Sequence, residues 1–320
     1  MISVVIPNYN GKYYLKQCLD SIYRQTYKEY EVIVIDNAST DGDYGWVKKY
    51  PGIHFEVLNK NYGFSRAVNE GIKRAKGEYI LLLNNDTELF IDFLEEILKV
   101  IQKNPKVFGV SSKMIRFHEK NLIDDAGDEY TVIGWGYKRG DGKNINQFIK
   151  EERIFSACAG AALYRKKVFE EIGYFDENFF AYMEDVDISY RANIYGYKNM
   201  YAPKAKVYHI GSATSGGRYN AFKLKLSGRN NVYVPYKNMP FLQLVINAPC
   251  LLLGYVVKQR VFASKGFKEE YKSGLIEGFK TLKKVEKVPF KWRNILHYFY
   301  IEWVLIINTF KYIIGKMKRG

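Results

Sequence analysis

Cysteine is scarce in this 320-residue chain, and its three copies, Cys18, Cys158 and Cys250, stand far apart. With no CxxC pair, a disulfide framework or a structural zinc site is not expected, and a reducing cytosol is the default compartment. Histidine is nearly as rare, with four copies. Met1 runs directly into Ser3-Val4-Val5-Ile6-Pro7 without a basic stretch before it, so no secretory leader is expected. Internal repeats and low-complexity tracts are absent. Acidic residues thin out towards the C-terminus. Residues 204–320 hold 22 Lys and Arg against 5 Asp and Glu, whereas residues 1–203 hold 27 against 29. The net charge of +15 therefore lies wholly in the last third, and such a segment points to an anionic partner: lipid headgroups, phosphates or nucleic acid.

What the chain does have is apolar mass. Hydrophobic residues make up 47% and aromatics 16%, with 28 tyrosines, enough for a packed α/β domain with an appendage. Tyrosine also suits sugar faces and membrane interfaces. The first half alternates strand and helix patterns. Ile2–Ile6 is a β-branched run closing on Pro7-Asn8-Tyr9-Asn10-Gly11, after which Tyr14, Leu15, Cys18, Leu19 and Ile22 recur at helical spacing. Glu31–Asp36 and Tyr79–Leu83 are apolar strands that lead to Asp36 and to Asn84-Asn85-Asp86. Between them come a strand around His54–Leu58 and a helix over roughly Ser65–Ala75. Such units predict a mostly parallel central sheet with helices on both faces. Sheets of this kind bind ligands beyond the carboxyl ends of their strands. Asp36 and Asn84–Asp86 stand at such ends; the plainer alternative is that they only terminate strands in turns.

Residues 116–153 are polar, contain glycine and show no clear period, as an excursion or short hairpin over a site would. Ile154–Leu163 reads as a strand, Glu184–Tyr195 as a helix, and Val207–Gly211 as a short strand before a glycine- and serine-rich loop. Glu184 and Asp185 open that helix, where acids also suit the helix dipole. His209 follows the short strand, a place open to a ligand or to a structural histidine. Beyond about Arg218 the texture changes. Phe241–Val257 carries no charge, but its 17 residues are at the lower limit for a membrane span, and Asn247, Pro249 and Gly254 interrupt it. Trp292–Ile314 repeats apolar residues at helical spacing, flanked by Lys291, Arg293, Lys311, Lys316, Lys318 and Arg319. Helices of that make-up lie in the membrane interface; ordinary core helices are the alternative.

Five stretches, in order, carry a resemblance: "VVIPNYNG" (4–11), "VIVIDNASTDG" (32–42), "NYGFSRAVNEGIKRAKGEYILLLNNDTEL" (61–89), "GAALYRKKVFEEIGYFDENFFAYMEDVDISYRANIYGYK" (160–198) and "HIGSATSG" (209–216). Together they resemble the family 2 glycosyltransferases, most of all the rhamnosyltransferase-like subgroup of surface-polysaccharide assembly. The resemblance implies a Rossmann-like GT-A domain over residues 1–217, with a nucleotide-sugar half to about 115 and an acceptor half from 116. A helical C-terminal region over 218–320 follows. It implies inverting transfer of rhamnose or another hexose from a dTDP- or UDP-linked donor to a saccharide or lipid-linked acceptor, with Mg²⁺ or Mn²⁺ as cofactor. By position, Pro7, Asn8 and Tyr9 border the base, and Asp36 binds the base or ribose. Asn61, Gly63 and Arg66 lie along the nucleotide pocket, and Asn84-Asn85-Asp86 takes the place of the DxD metal motif. Glu184-Asp185 matches the pair in which the aspartate is the base, and His209 matches a histidine of the metal site. The chain departs from the pattern at Asn84, where an acid is usual. An amide carbonyl ligates more weakly than a carboxylate, so metal binding falls to Asp86, the diphosphate and His209.

The expected setting is the cytosolic face of the cell membrane, with the C-terminal region on its surface. No nucleic-acid partner is expected, since no such module is recognisable. Two other classes compete. A sugar-phosphate nucleotidyltransferase would carry a glycine-rich, Arg- and Lys-bearing loop where Pro7–Gly11 stands. A non-catalytic membrane- or polyanion-binding module on a degenerate fold would have less reason to keep Asp36, Asp86 and Asp185.

Overall fold

A computed structural model describes residues 1–211 and 219–317. Most of the glycine- and serine-rich loop after His209 and the basic Lys318 and Arg319 lie outside the described residues. β1 (Ile2–Asn8), α1 (Lys12–Tyr23), β2 (Tyr30–Asp36), β3 (His54–Val57), α2 (Phe64–Arg74), β4 (Tyr79–Leu83), β5 (Thr87–Leu89) and α3 (Phe93–Gln102) come first. β6 (Val107–Arg116), β7 (Ile123–Asp125), β8 (Asp128–Tyr130), β9 (Gly136–Lys138), β10 (Glu152–Ile154) and β11 (Ala161–Arg165) follow. Then come α4 (Lys166–Ile172), α5 (Glu184–Ile194), β12 (Lys198–His209), α6 (Ala221–Asn238), α7 (Phe241–Ala263), α8 (Lys268–Lys280) and α9 (Ile295–Met317).

The main sheet runs β10-β12-β6-β11-β4-β1-β2-β3. β4, β1, β2 and β3 are parallel, as are β6 and β12, while β11 runs antiparallel between β4 and β6. Helices cover both faces, which is why the central strands are apolar without alternation. Val4 and Ile6 pack with Leu15, Leu19, Phe93 and Ile97 of α1 and α3. Val5, Ile33 and Ile35 pack on the other face with Ala67, Val68, Val168 and Ile188.

Two strand expectations are corrected. The run Ile154–Leu163 is split between β10 at the sheet edge and β11 at its centre. Ser156 leaves the main sheet and exchanges backbone hydrogen bonds with Asp128, so the small residues between the strands carry the chain from edge to centre. The strand ending at His209 begins at Lys198, not Val207, and its register against β6 shifts between Ala202 and Lys206. Pro203 lies in that shift; lacking an N–H, it interrupts the ladder and hides the strand from a period-2 reading.

The sheet opens at one place. β1 pairs with β2 as far as Asn8 but with β4 only through Val5. The Ile2 N–H and Asn8 C=O both point towards β2, so the alternate residue Pro7 faces β4, where it has no N–H to donate. Strand order also reverses between β1 and β4, the position where open α/β sheets hold their ligands.

The C-terminal helices pack on the second half of this sheet through a core that includes Tyr130, Phe155, Phe179 and Tyr190 with Tyr233, Tyr255 and Tyr271. Gly228 of α6 and Gly274 of α8 meet backbone to backbone; a Cβ on either would overlap the other helix. A buried ion network joins α5 to α6. The Asp187 carboxylate, fully buried, accepts from Arg191 at 2.9 Å and from the Asn238 amide at 2.8 Å, with Lys237 at 3.3 Å. Burial pushes this carboxyl up, but Arg191, Lys237 and Asn238 outweigh it and hold it below the usual range.

Asp187→Ala leaves Arg191 buried without its carboxylate, while Lys237 keeps Asp176 at 2.6 Å, and should cost about 3 kcal/mol, read as a lower denaturation midpoint. Because the folded carboxyl is depressed, its contribution is present above its unfolded value of roughly 3.9 and is lost as pH falls. The gap between variant and wild type should therefore close in acid.

Candidate active site

Polar side chains line the opening between β1 and β4. The Asn8 amide donates to Asp36 Oδ1 at 2.6 Å and accepts from the Asn85 amide at 2.6 Å. Asp36, 2% exposed, also accepts from the Ser39 N–H at 2.9 Å and the Ser39 hydroxyl at 2.6 Å. One hydrogen-bonded chain thus ties the ends of β2, β1 and β4. Tyr9 stands at its mouth, 39% exposed, an open aromatic face beside Pro7 and Asn8. A loop away, Asn61 accepts from the Gly63 N–H at 2.9 Å, and the buried Asn37 donates to the Gly63 carbonyl at 3.0 Å. Gly63 has φ +87°, and a Cβ there would run into the Phe180 carbonyl, so only glycine fits. Arg66 lies over the Tyr62 ring and pairs with Glu177 at 3.2 Å. The structure therefore gathers Pro7, Asn8, Tyr9, Asp36 and Asn85 at the opening. It sets Asn61, Gly63 and Arg66 beside it at the start of α2.

Beyond β4 the side chains diverge. Asn85 turns to Asn8, Asn84 lies against Gly160, and Asp86 turns to His209. β12 pairs antiparallel with β5, which places His209 opposite Thr87; the Ile210 N–H then donates to the Asp86 carbonyl. His209 Nε2 stands 3.4 Å from Asp86 Oδ1, and Nδ1 stands 2.8 Å from Asp124 Oδ2. Lys138 pairs with the same Asp124 oxygen at 2.9 Å. Burial pulls the His209 pKa down, but hydrogen bonds to Asp124 and Asp86 raise it to about 9. Burial likewise opposes ionisation of Asp124, and His209 and Lys138 outweigh it, holding the carboxyl well below its usual range. An imidazolium between two carboxylates shows a local field that favours a cation. With an oxygen of Asp86 and a nitrogen of His209 facing each other, the donor set fits a divalent metal ion. Such an ion would neutralise a diphosphate held at the opening.

A second acidic group lies deeper. Asp185, partly exposed at the start of α5, accepts from the Val186 N–H at 2.8 Å, while the Ser156 hydroxyl donates to the Asp185 carbonyl at 3.1 Å. Asp125, Asp128 and Cys158 lie within 4.8 Å of one another and act electrostatically on the Asp185 region. Burial raises Asp125 to about 6, raises Asp128 well above the carboxylate range and raises Asp185. Burial and Asp185 raise Glu184 strongly too, and one of its oxygens has no hydrogen-bond partner. Of the Glu184–Asp185 pair, then, Glu184 is buried and Asp185 is the one that is partly exposed. A carboxylate whose proton affinity is raised by burial suits proton transfer.

Four of these groups, Asp124, Asp125, Asp128 and Lys138, belong to the polar excursion over 116–153 and were not singled out from sequence. The adjacent acids Asp124-Asp125, followed by Gly127 in a left-handed turn, were the available signal. The turn before Glu184 was also silent in sequence. Phe180, Tyr182 and Met183 all have positive φ, between 63° and 70°, a conformation held only by its surroundings. The buried Asn230 of α6 supplies the hold: its amide lies 3.1, 2.9 and 2.6 Å from the carbonyls of Phe179, Ala181 and Tyr182.

Asn230→Ala removes that donor from buried carbonyls and should lower stability by about 2–4 kcal/mol in chemical denaturation. Asp125 gives a pH signature of opposite sign to Asp187. Its folded pKa lies above the unfolded 3.8, so wild-type stability falls as pH rises from about 4 to about 6. Asp125→Asn should gain stability over wild type at pH 7, and the gain should vanish at pH 4 in parallel thermal melts.

The sequence profile of glycosyl transferase family 2 matches residues 3–173, more than half of the chain. Glycosyltransferase GlyA of Streptococcus pneumoniae is 27% identical over 62% of this chain and 30% of its own length. An N-acetylglucosaminyl-diphospho-decaprenol L-rhamnosyltransferase of Mycobacterium tuberculosis is 26% identical over 68% of this chain and 78% of its own. This chain therefore matches about a third of the first relative and most of the second. Mannosyltransferase PcManGT of Pyrobaculum calidifontis, solved with GDP-Man and Mn²⁺, has the same fold, with a TM-score of 0.55 at 16% identity, over 88% of this chain and 75% of its own. The fold is GT-A, and the chain belongs to glycosyl transferase family 2.

Proposed function

We propose that this protein is an inverting glycosyltransferase of cell-surface glycan assembly. It would move rhamnose or another hexose from a dTDP- or UDP-linked donor to a saccharide or lipid-linked acceptor at the cytosolic membrane face. The observation that carries the reading is the pairing of Asp86 with His209 at the end of β4, with Asp185 linked to the same neighbourhood through Lys138 and Asp125. In this reading Tyr9 and Pro7 flank the base, and the Asn8–Asp36–Asn85 chain sets the nucleotide floor. Asp86 and His209 hold Mg²⁺ or Mn²⁺, which offsets the charge of the diphosphate, with Asn84 contributing at most an amide oxygen. The Asp124 carboxylate and Lys138 orient His209.

The chemical step then needs only one protein proton acceptor. An acceptor hydroxyl attacks the anomeric carbon, the bond from that carbon to the diphosphate oxygen breaks, and the proton passes to the Asp185 carboxylate. The nucleoside diphosphate leaves. Glu184 is buried, and burial together with Asp185 raises its proton affinity strongly, so its part is to support the start of α5. The Mn²⁺ and GDP-Man of PcManGT support a metal-assisted nucleotide-sugar site. The name of the mycobacterial relative supports rhamnosyl transfer to a lipid diphosphate.

Asp185→Asn should lower kcat by about 10²–10⁴ while leaving the donor-induced rise in melting temperature intact. A variant turning over at the wild-type rate would remove Asp185 from the role of base.

A further inference from the structure

The C-terminal helices carry a surface that the site above does not use. Among the described residues, 21 of the 29 exposed large hydrophobic side chains lie within 241–317. On α7 they form one stripe, through Leu242, Ile246 and Leu253, and on α9 another, through Phe299, Trp303 and Phe310. The inner faces of both helices rest on the hairpin of β8 and β9. The Trp135 indole N–H donates to the Gly254 carbonyl at 3.1 Å, and a Cβ on Gly254 would overlap the Ile133 carbonyl. The Asn308 amide donates to Glu129 at 2.8 Å, and the Tyr312 ring packs on Trp135. Since both helices sit on one hairpin, their outer stripes face away from it together.

The helices run side by side in one direction. Gln243 and Asn247 donate to Glu302 near one end, at 2.7 and 2.9 Å, and Trp135 bridges Gly254 and Tyr312 further along. Each has 23 residues, or about 35 Å. Two such stripes make an apolar face larger than a monomer leaves in water without a use for it. By length and mean hydropathy, 1.6 over its most apolar window, α7 is also a candidate span. It is tied to the protein along its length, however. Asn247 meets Glu302 near its start; the Tyr255 hydroxyl donates to the Asn231 carbonyl at 3.2 Å; and Phe262 packs on Tyr271. These contacts hold α7 against the body of the protein from its start to its end.

Charge selects the partner. Glu302 is the single acid on the two helices, and Gln243 and Asn247 engage it. Arg260, Lys265, Arg293, Lys311 and Lys316 surround the stripes and are exposed. We propose that α7 and α9 together form an in-plane seat on an anionic lipid bilayer, apolar stripes down. Amphipathic helices with basic flanks and an interfacial tryptophan bind such surfaces. The hairpin that carries the seat begins at Asp128 and ends at Lys138, and both act electrostatically on the acidic group around Asp185, so the seat and that group share one short element. A sugar linked to a lipid headgroup meets Asp185 from the membrane side. The seat deepens the transferase reading by fixing its acceptor as membrane-held, while its test is independent of turnover.

The test is co-sedimentation of the full chain with vesicles of phosphatidylcholine alone or mixed with phosphatidylglycerol. Binding should favour the mixed vesicles and weaken with salt. The exposed-site variant Phe299→Ser/Trp303→Ser/Phe310→Ser should lose about tenfold in partitioning, with unchanged circular dichroism and an unchanged donor-induced thermal shift. Trp303 fluorescence, corrected with Trp303→Phe, should be quenched more by lipid brominated near the headgroup than by lipid brominated near the chain ends. No vesicle binding, or binding indifferent to the variant, overturns the seat. So does a lipid-indifferent dimer that the variant dissolves, and dominant quenching from the chain ends overturns the in-plane geometry. Loss of the donor shift in wild type would count against the transferase reading instead.

Discussion

The parting of β1 from β4 after Val5 is the constraint on which the rest of the site depends. A parallel sheet closed to its strand ends has no room for a ligand. Here the β1 residue that would continue the ladder towards β4 is Pro7, and it has no N–H to give. The two strands therefore separate while β1 stays paired with β2. Asn8 then spans the gap in side chains instead of backbone, bonding to Asp36 on one side and Asn85 on the other. Everything that reaches the opening, from Tyr9 to Asp86, is positioned by that exchange of one ladder for another.

Around the opening, buried carboxylates are sorted by whether a cation accompanies them. Asp124 has Lys138 and His209, and Asp187 has Arg191 and Lys237; both stay ionised despite burial. Asp128 and Glu184 have mainly other carboxylates for charged company, and burial raises their proton affinity strongly; Asp125, with Lys138 opposing its burial, is raised only to about 6. Desolvation is the same penalty in all five cases; the sign of the neighbour decides the outcome. The result is a cation-favouring edge at Asp86–His209 and a proton-holding group around Asp185, two environments within one cleft.

The helices after residue 219 belong to that cleft as much as to any surface. Asn230 holds the left-handed turn that presents Glu184 and Asp185, and Asp187 locks the same helix to α6. On the far side, α7 and α9 grip the β8–β9 hairpin whose ends carry Asp128 and Lys138. Events at the outer face of the helices and at the acidic group therefore meet in one short hairpin.

Much of the fold was legible in the sequence because its signals are local. Apolar runs ending in Asp36 and Asn84–Asp86, helical periods in Leu15–Ile22 and Trp292–Ile314, and the basic excess of the last third all follow from neighbours within a turn or two of chain. They determined the layered sheet, the strand ends that form the opening, and the amphipathic character of α9. The tertiary structure alone decided what crosses the chain. His209 meets Asp86 and Asp124 across more than eighty residues, Asn230 reaches back to Tyr182, and β12 extends past the bulge at Pro203 because β6 lies beside it. It also decided that Glu184 is buried and Asp185 partly exposed, although the two are adjacent and alike. Composition and spacing report which groups are present; burial and long-range partners, which set their charge and reach, exist only once the chain has folded.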